Sequence, residues 1–412
     1  MTNIGEQIFE WLQLHSGSEL GYGFLIVLLF IVPRLLLKFG IPMALTAFVL
    51  GLTVKIGFNF YDTDNVIPIF STLGIISLFL FAGLEVDLIA LRKTIRPIAG
   101  HIGFRILVVS VLAAVFSSLH SLTPATAIVL ALALATPSTG FILDTLASSA
   151  MSDGQKFWIK LKAISAELVA LGALLIISQM RSVASLVGSL LIIGIMVLVL
   201  PYLLKKLADT LEKLAPGSEF SFIMMLAIIS GLITKKLGAY YLVGAFLVGM
   251  AAGQYKRQSP SASTDQVLQS MRSFSTFFMP FYFFNSGLKM PYDAFSLDAL
   301  YVAAIFLLVS APIKVGTIIL HRRMSLVESW KDSLAIAVSL MPNLIFGLVL
   351  ADILKNKMGL SVSIYGGLVI YTLFITMLSP LLLRFMPGGK NLELVTSSPE
   401  DIEFANHRAK LN

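Results

Sequence analysis

Apolar stretches of about 20 residues recur along nearly the whole chain, and they decide what it can fold into. A segment that enters a bilayer must satisfy every backbone amide internally, which leaves helices or closed barrels. Runs of this length read as helices. They give about thirteen candidate spans, at 19–38, 40–57, 66–91, 97–119, 124–148, 155–180, 183–206, 219–236, 239–255, 266–289, 297–321, 329–355 and 361–386. The composition agrees: 57% of residues are hydrophobic and 13% charged, against about 25% charged in soluble domains. The chain therefore reads as an all-α, polytopic membrane protein embedded in a lipid bilayer. Its links are short and none offers a soluble domain. Residues 1–386 form one membrane domain on this reading, and 387–412 a short polar cytoplasmic tail.

A formal charge of +7 raises nucleic acid as a partner, but the bases are placed for another task. They fall in alternate short links, at Arg34/Lys38, Arg92/Lys93/Arg96, Lys156/Lys160, Lys205/Lys206/Lys213, Lys256/Arg257, Arg322/Arg323/Lys331 and Arg384/Lys390. Such alternation orients a protein in a bilayer, so no nucleic-acid partner is expected. It places the N-terminus outside and the C-terminus in the cytoplasm. The absence of cysteine excludes disulfides, thiolate metal sites and thiol catalysis. His101, His120 and His321 are scattered near span ends and suggest no metal centre. Neither an enzyme nor a bound cofactor is expected. Residues 1–19 contain no Lys or Arg, so they lack the basic region of a cleaved signal, and the first span is expected to remain.

Two costly features fall on adjacent spans. Thr136-Pro137-Ser138-Thr139-Gly140 interrupts the fifth, where proline removes an amide donor and glycine loosens the backbone. Glu167 lies near the centre of the sixth, where an ionisable group costs roughly 3 kcal/mol. A broken helix beside a buried carboxylate is how many secondary transporters build an ion site at mid-membrane. A packing kink at Pro137 and a neutral, hydrogen-bonded Glu167 stand beside that reading as alternatives. Seven spans later, Ser339-Leu340-Met341-Pro342-Asn343 interrupts the twelfth. If the seventh span is a linker, spans 1–6 and 8–13 form two units of opposite topology, each broken in its fifth helix. The ion-site core would then lie at about 97–180 and 297–386.

Lys314 lies deep in the eleventh span. It is expected to partner Glu167 or a helix end in an ion cavity, or else to form a structural ion pair joining the sixth and eleventh spans. Lys162 and Arg105 lie nearer the cytoplasmic ends and are expected to snorkel. Glu85 and Asp87 are expected to form a salt-bridged cap with Arg92, Lys93 and Arg96. Phe277-Phe278 and Phe281–Phe284 read as helix packing.

Four segments carry a family resemblance. They are Leu80-Phe81-Ala82-Gly83-Leu84-Glu85-Val86-Asp87, Leu132-Ala133-Leu134-Ala135-Thr136-Pro137-Ser138, Gly244-Ala245-Phe246-Leu247-Val248-Gly249, and Phe281-Tyr282-Phe283-Phe284-Asn285-Ser286-Gly287-Leu288-Lys289. In order and spacing the chain resembles the monovalent cation:proton antiporter superfamily, in particular its Kef-type and bacterial sodium/proton exchanger branch, over roughly residues 20–386. The resemblance implies a sodium/proton antiporter-like fold of two inverted repeats with crossing broken helices. It implies a secondary active transporter that exchanges Na⁺ or K⁺ for protons across a bacterial inner membrane by alternating access. A homodimer built on the helices outside the core is implied as well.

The family's ion-transporting carboxylate is the second member of an Asp-Asp or Asn-Asp pair, and the matching pair here is Ala166-Glu167. On that basis Glu167 would hold a proton or, transiently, a monovalent cation. Thr136, Ser138 and Asn343 would contribute polar groups from the two breaks. Lys314 matches the family's membrane-embedded base. The family often has Arg-Gly-Glu after the second break's proline, where this chain has Asn343-Leu344-Ile345. Two other classes stay open: a transporter of a small organic ion with Lys314 holding its carboxylate, and a non-transporting membrane sensor or assembly partner.

Overall fold

The computed structural model describes residues 18–38, 41–58, 61, 64–147, 151–180, 182–214, 218–238, 240–258, 262–326 and 329–385. The segment before residue 18 and the expected tail at 387–412 lie outside them. Among the described residues the protein is all helical. In chain order the helices are α1 (Glu19–Leu37), α2 (Met43–Thr53, prolonged by a π turn at Val54–Phe58), α3 (Val66–Leu84), α4 (Leu88–Lys93) and α5 (Ile95–His120). Then come α6 (Pro124–Ala135), α7 (Thr139–Ala147), α8 (Asp153–Gln179), α9 (Val183–Leu214), α10 (Glu219–Lys236) and α11 (Tyr240–Gln258). The last five are α12 (Ala262–Leu288), α13 (Leu297–Leu326), α14 (Trp330–Ser339), α15 (Leu344–Met358) and α16 (Val362–Arg384).

Helix boundaries follow from local chemistry. Thr123 caps α6 by accepting the Thr126 amide, and Pro124 fills the first helical position, where its missing N–H costs nothing. A capping box of Ser152 and Gln155 opens α8. Ser329 opens α14 and Ser361 opens α16 in the same way as Thr123. Pro137 ends α6 by forcing Thr136 out of the helical region, to φ −76° and ψ 120°.

Among the described residues, by length and hydropathy alone, eight segments qualify as membrane spans, and the pair α14–α15, bent by 48°, makes up to nine. The remaining candidate spans coincide with α2, which is shorter, and with α10, α11 and α12, which do not meet that test. On either side of α9 the order of elements repeats, with a broken helix fifth among the candidate spans of each half.

The helices sort into two bodies. In the first, a scaffold, α3 packs against α11 and α12, α12 against α2, α11 against α10, and α1 against α2. Close backbone approach explains two of the glycine-bearing segments. A Cβ on Gly83 would stand 2.2 Å from the Phe246 carbonyl, and one on Gly249 would stand 2.0 Å from that of Leu80. Gly51 and Gly287 meet reciprocally in the same manner between α2 and α12. Small residues at such crossings allow the dense packing that holds helices together in lipid. The aromatic run is scaffold packing too: Phe70 meets Phe281 at 5.1 Å and Phe278 at 5.8 Å, and Phe30 stacks on Phe277 at 5.0 Å.

In the second body, the core, α13 packs on α16, α14 and α5, α6 lies against α5 and α15, and α8 against α5 and α7. Polar links also join the bodies. Glu85, just past α3, pairs with Lys160 of α8, and the Gln179 amide donates to the Leu237 carbonyl. Of the salt-bridged cap expected for Glu85 and Asp87, the Arg92 side chain lies outside the described residues, and the two carboxylates have other partners. Glu85 reaches across to the core, while Asp87 accepts the Ile89 and Ala90 amides to start α4. A carboxylate at a helix N-terminus does this more directly than it neutralises a distant base.

Candidate functional site

Each broken helix leaves a carbonyl-rich end and an amide-rich end inside the protein, where water cannot satisfy them. The two breaks answer much of this need for each other. The Ser138 amide donates to the Pro342 carbonyl at 2.9 Å, so the breaks cross in direct contact. The Ser138 hydroxyl accepts from the amides of Ile345 at 2.9 Å and Phe346 at 3.4 Å, capping α15. In return the Asn343 side-chain amide donates to the Ala133 carbonyl at 2.7 Å, covering the last turn of α6. Tyr371 of α16 covers the neighbouring Leu134 carbonyl at 3.3 Å.

Charged groups serve the other two ends. Glu167 Oε1 accepts the Thr139 amide at 2.7 Å, which puts a carboxyl at the positive end of α7. Lys314 Nζ donates to the Met341 carbonyl at 2.9 Å, beyond the negative end of α14. Ser379 adds a bond to the Val338 carbonyl at 2.7 Å. Thr136, Ser138, Glu167, Lys314 and Asn343 are all buried, each 4% exposed or less.

Of the two partners expected for Lys314, the structure supplies the helix end. No ion pair joins Lys314 to Glu167, and the structural bridge between α8 and α13 is absent among the described residues. The reason is geometric. Each charge lies at a helix terminus of opposite sign, on different broken spans, so each is compensated locally. The polar groups left over are also informative. Glu167 Oε2, the hydroxyls of Thr136 and Thr139, and Asn343 Oδ1 are buried with no hydrogen-bond partner. Four oxygens without donors at one crossing suit a ligand that accepts electron pairs, a proton or a hard cation. No group of three or more His, Asp or Glu side chains placed to hold a metal ion occurs among the described residues.

Sequence reasoning missed Tyr371, Ser379 and the Thr139 amide. A faint signal was present for α16, whose polar positions Thr372, Thr376 and Ser379 recur at helical spacing on one face. It also misplaced Lys162 and Arg105. Neither snorkels: they are 2% and 6% exposed, and Lys162 lies 2.9 Å from His321 Nδ1 and 3.5 Å from His101 Nδ1. His101 and His321, distant in the sequence, are therefore brought together with Lys162 by three helices, while His120 lies against Phe116 and Phe306.

Two crossed discontinuous helices within a helical membrane bundle define a recognised class of membrane protein. A family model described as the transmembrane sodium/hydrogen exchanger matches residues 24–386, and the chain belongs to that family. A curated relative, the "Probable Na(+)/H(+) antiporter 3" of Methanocaldococcus jannaschii, is 27% identical over 242 residues. That match covers 57% of this chain and 62% of the relative, so it spans less than two thirds of the relative's length. The fold is similar to that of the sodium proton antiporter MjNhaP1 from the same organism, solved at pH 8. The TM-score is 0.66 at 16% identity, covering 92% of this chain and 99% of the other. An electron-microscopy structure of MjNhaP1 gives a TM-score of 0.64 at 17% identity, covering 92% and 98%.

Proposed function

We propose that the protein exchanges a monovalent cation, Na⁺ or K⁺, for protons across the bacterial inner membrane by alternating access. Glu167 is the group that takes either ion. The observation that carries this reading is the divided carboxyl: Oε1 is tied to the Thr139 amide while Oε2 is buried without a donor. A carboxyl held in place by one oxygen keeps the other for a proton or a cation. The Thr136 and Thr139 hydroxyls and Asn343 Oδ1 offer oxygens that replace part of a cation's hydration shell. Ser138 has a different task, since its hydroxyl is occupied by the amides of α15.

The two bodies support alternating access. The core carries both breaks and moves against the scaffold, whose glycine contacts hold it rigid and whose outer face forms a homodimer. The alternation of bases places the N-terminus outside and the C-terminus in the cytoplasm, which a reporter fused after Asn412 reads directly. The organic-ion alternative is less well supported, because the Lys314 ammonium is already engaged by the Met341 carbonyl. Membrane vesicles holding a pH gradient provide the test. Added Na⁺ or K⁺ should collapse the gradient in vesicles containing the protein and not in those lacking it. A gradient indifferent to both cations would refute the exchange reading.

A further inference from the structure

Arg105 is a second buried charge that the exchange site does not use. It lies on α5, which packs against α8 and α13, and is 6% exposed. Its Nε and Nη2 are buried without a hydrogen-bond partner, and it makes no ion pair among the described residues. Guanidinium stays protonated in proteins, so it cannot escape the cost by losing its charge. No carboxylate among the described residues pairs with it. His101, one turn earlier on α5, faces the same way, and Lys162 and His321 meet it from α8 and α13. The Arg105 charge acts on His101 and on Lys314, and both are themselves basic.

The two orphaned nitrogens form one edge of the guanidinium. Their N–H bonds run parallel, which is the fork that grips two oxygens of a carboxylate or phosphate. We propose that Arg105 binds an oxyanion where α5 packs against α8 and α13, held side-on by its Nε and Nη2 with His101, Lys162 and His321 as neighbouring basic groups. The occupant is a free inorganic oxyanion or the phosphate of an acidic lipid. Either would tie α5 to the two helices that carry Glu167 and Lys314. The inference rests on these three helices alone and holds whether or not Glu167 carries the exchange.

The test uses the full chain, purified in detergent and stripped of lipid. Inorganic phosphate, compared with chloride at equal ionic strength, should raise Tm by a few degrees if the occupant is free. Phosphatidylglycerol added to the detergent micelles should do so, and added phosphatidylcholine should not, if the occupant is a lipid. Arg105→Gln should abolish whichever shift is seen, and Arg105→Lys, which keeps the charge without the fork, should lose most of it. Should Arg105→Gln fail to fold, the wild-type shifts and the Arg105→Lys protein decide the matter. Absence of a shift with both phosphate and phosphatidylglycerol, or an equal shift in Arg105→Lys, would overturn the proposal.

Discussion

The two breaks are built from similar residues and end in different states. At the second, the α14 end is closed by Lys314 and Ser379, and the α15 end by Ser138. Only Asn343 Oδ1 lacks a partner among its side-chain atoms. At the first, the backbone ends are also answered, yet Thr136 Oγ1, Thr139 Oγ1 and Glu167 Oε2 are left over. Buried polar atoms without partners are costly, so a cluster of them at one break and a single one at the other points to different duties. The second break holds the crossing together. The first holds it open for a ligand.

Substitutions can break that contrast. The largest effect is expected at Glu167→Gln. Gln retains an oxygen for the Thr139 amide, so the protein should fold, while exchange measured in vesicles should drop to background. A variant that exchanges at the wild-type rate places the site elsewhere, and one that does not fold makes Glu167 structural.

Next comes Lys314→Met, which strips the Met341 carbonyl of a charged donor. It should lower stability by about 2 kcal/mol, read from thermal unfolding. Ser138→Ala removes the cap shared by two α15 amides and should cost about 1–2 kcal/mol in the same assay. Thr136→Val is the smallest and the most discriminating. Its hydroxyl is buried without a protein partner, so a methyl in its place should leave stability unchanged or raise it by about 1 kcal/mol. Apparent cation affinity should nevertheless weaken several-fold. A Thr136→Val protein that loses stability and keeps its affinity would reverse the roles assigned to the two breaks.

Much of this was legible from residues. Pro137 and Pro342 announce the interruptions because proline cannot continue a helix, and Glu167 announces itself by its cost in lipid. Four helix starts, which the structure shows capped by Thr123, Ser152, Ser329 and Ser361, fall within two residues of the expected span starts. What stayed hidden is the choice of partner. Lys314 has several candidate partners in the sequence, and only the tertiary placement of the two breaks selects the Met341 carbonyl over the Glu167 carboxylate. Arg105 and Lys162 lie within snorkelling distance of the surface when counted along their helices. Tertiary packing of α5, α8 and α13 buries them instead. Glu85 likewise chooses Lys160 on another body over bases nearby in the chain.

The central claim is that Glu167 alone carries exchange, with Ala166 unable to hold a second proton. Lys314 bears on it, since release of its proton would add a second charge to the cycle. Its amine is engaged by the Met341 carbonyl, beyond the negative end of α14, and not by the carboxyl that takes the cation. One cation should therefore exchange for one proton with no net charge moved. The direct measurement is Na⁺-driven proton flux in vesicles whose potential is clamped with K⁺ and a K⁺ ionophore. The account predicts a rate that is independent of the imposed voltage and no measurable current. A rate that changes strongly with voltage, or a current that follows the Na⁺ gradient, would contradict it and make Lys314 the second proton carrier.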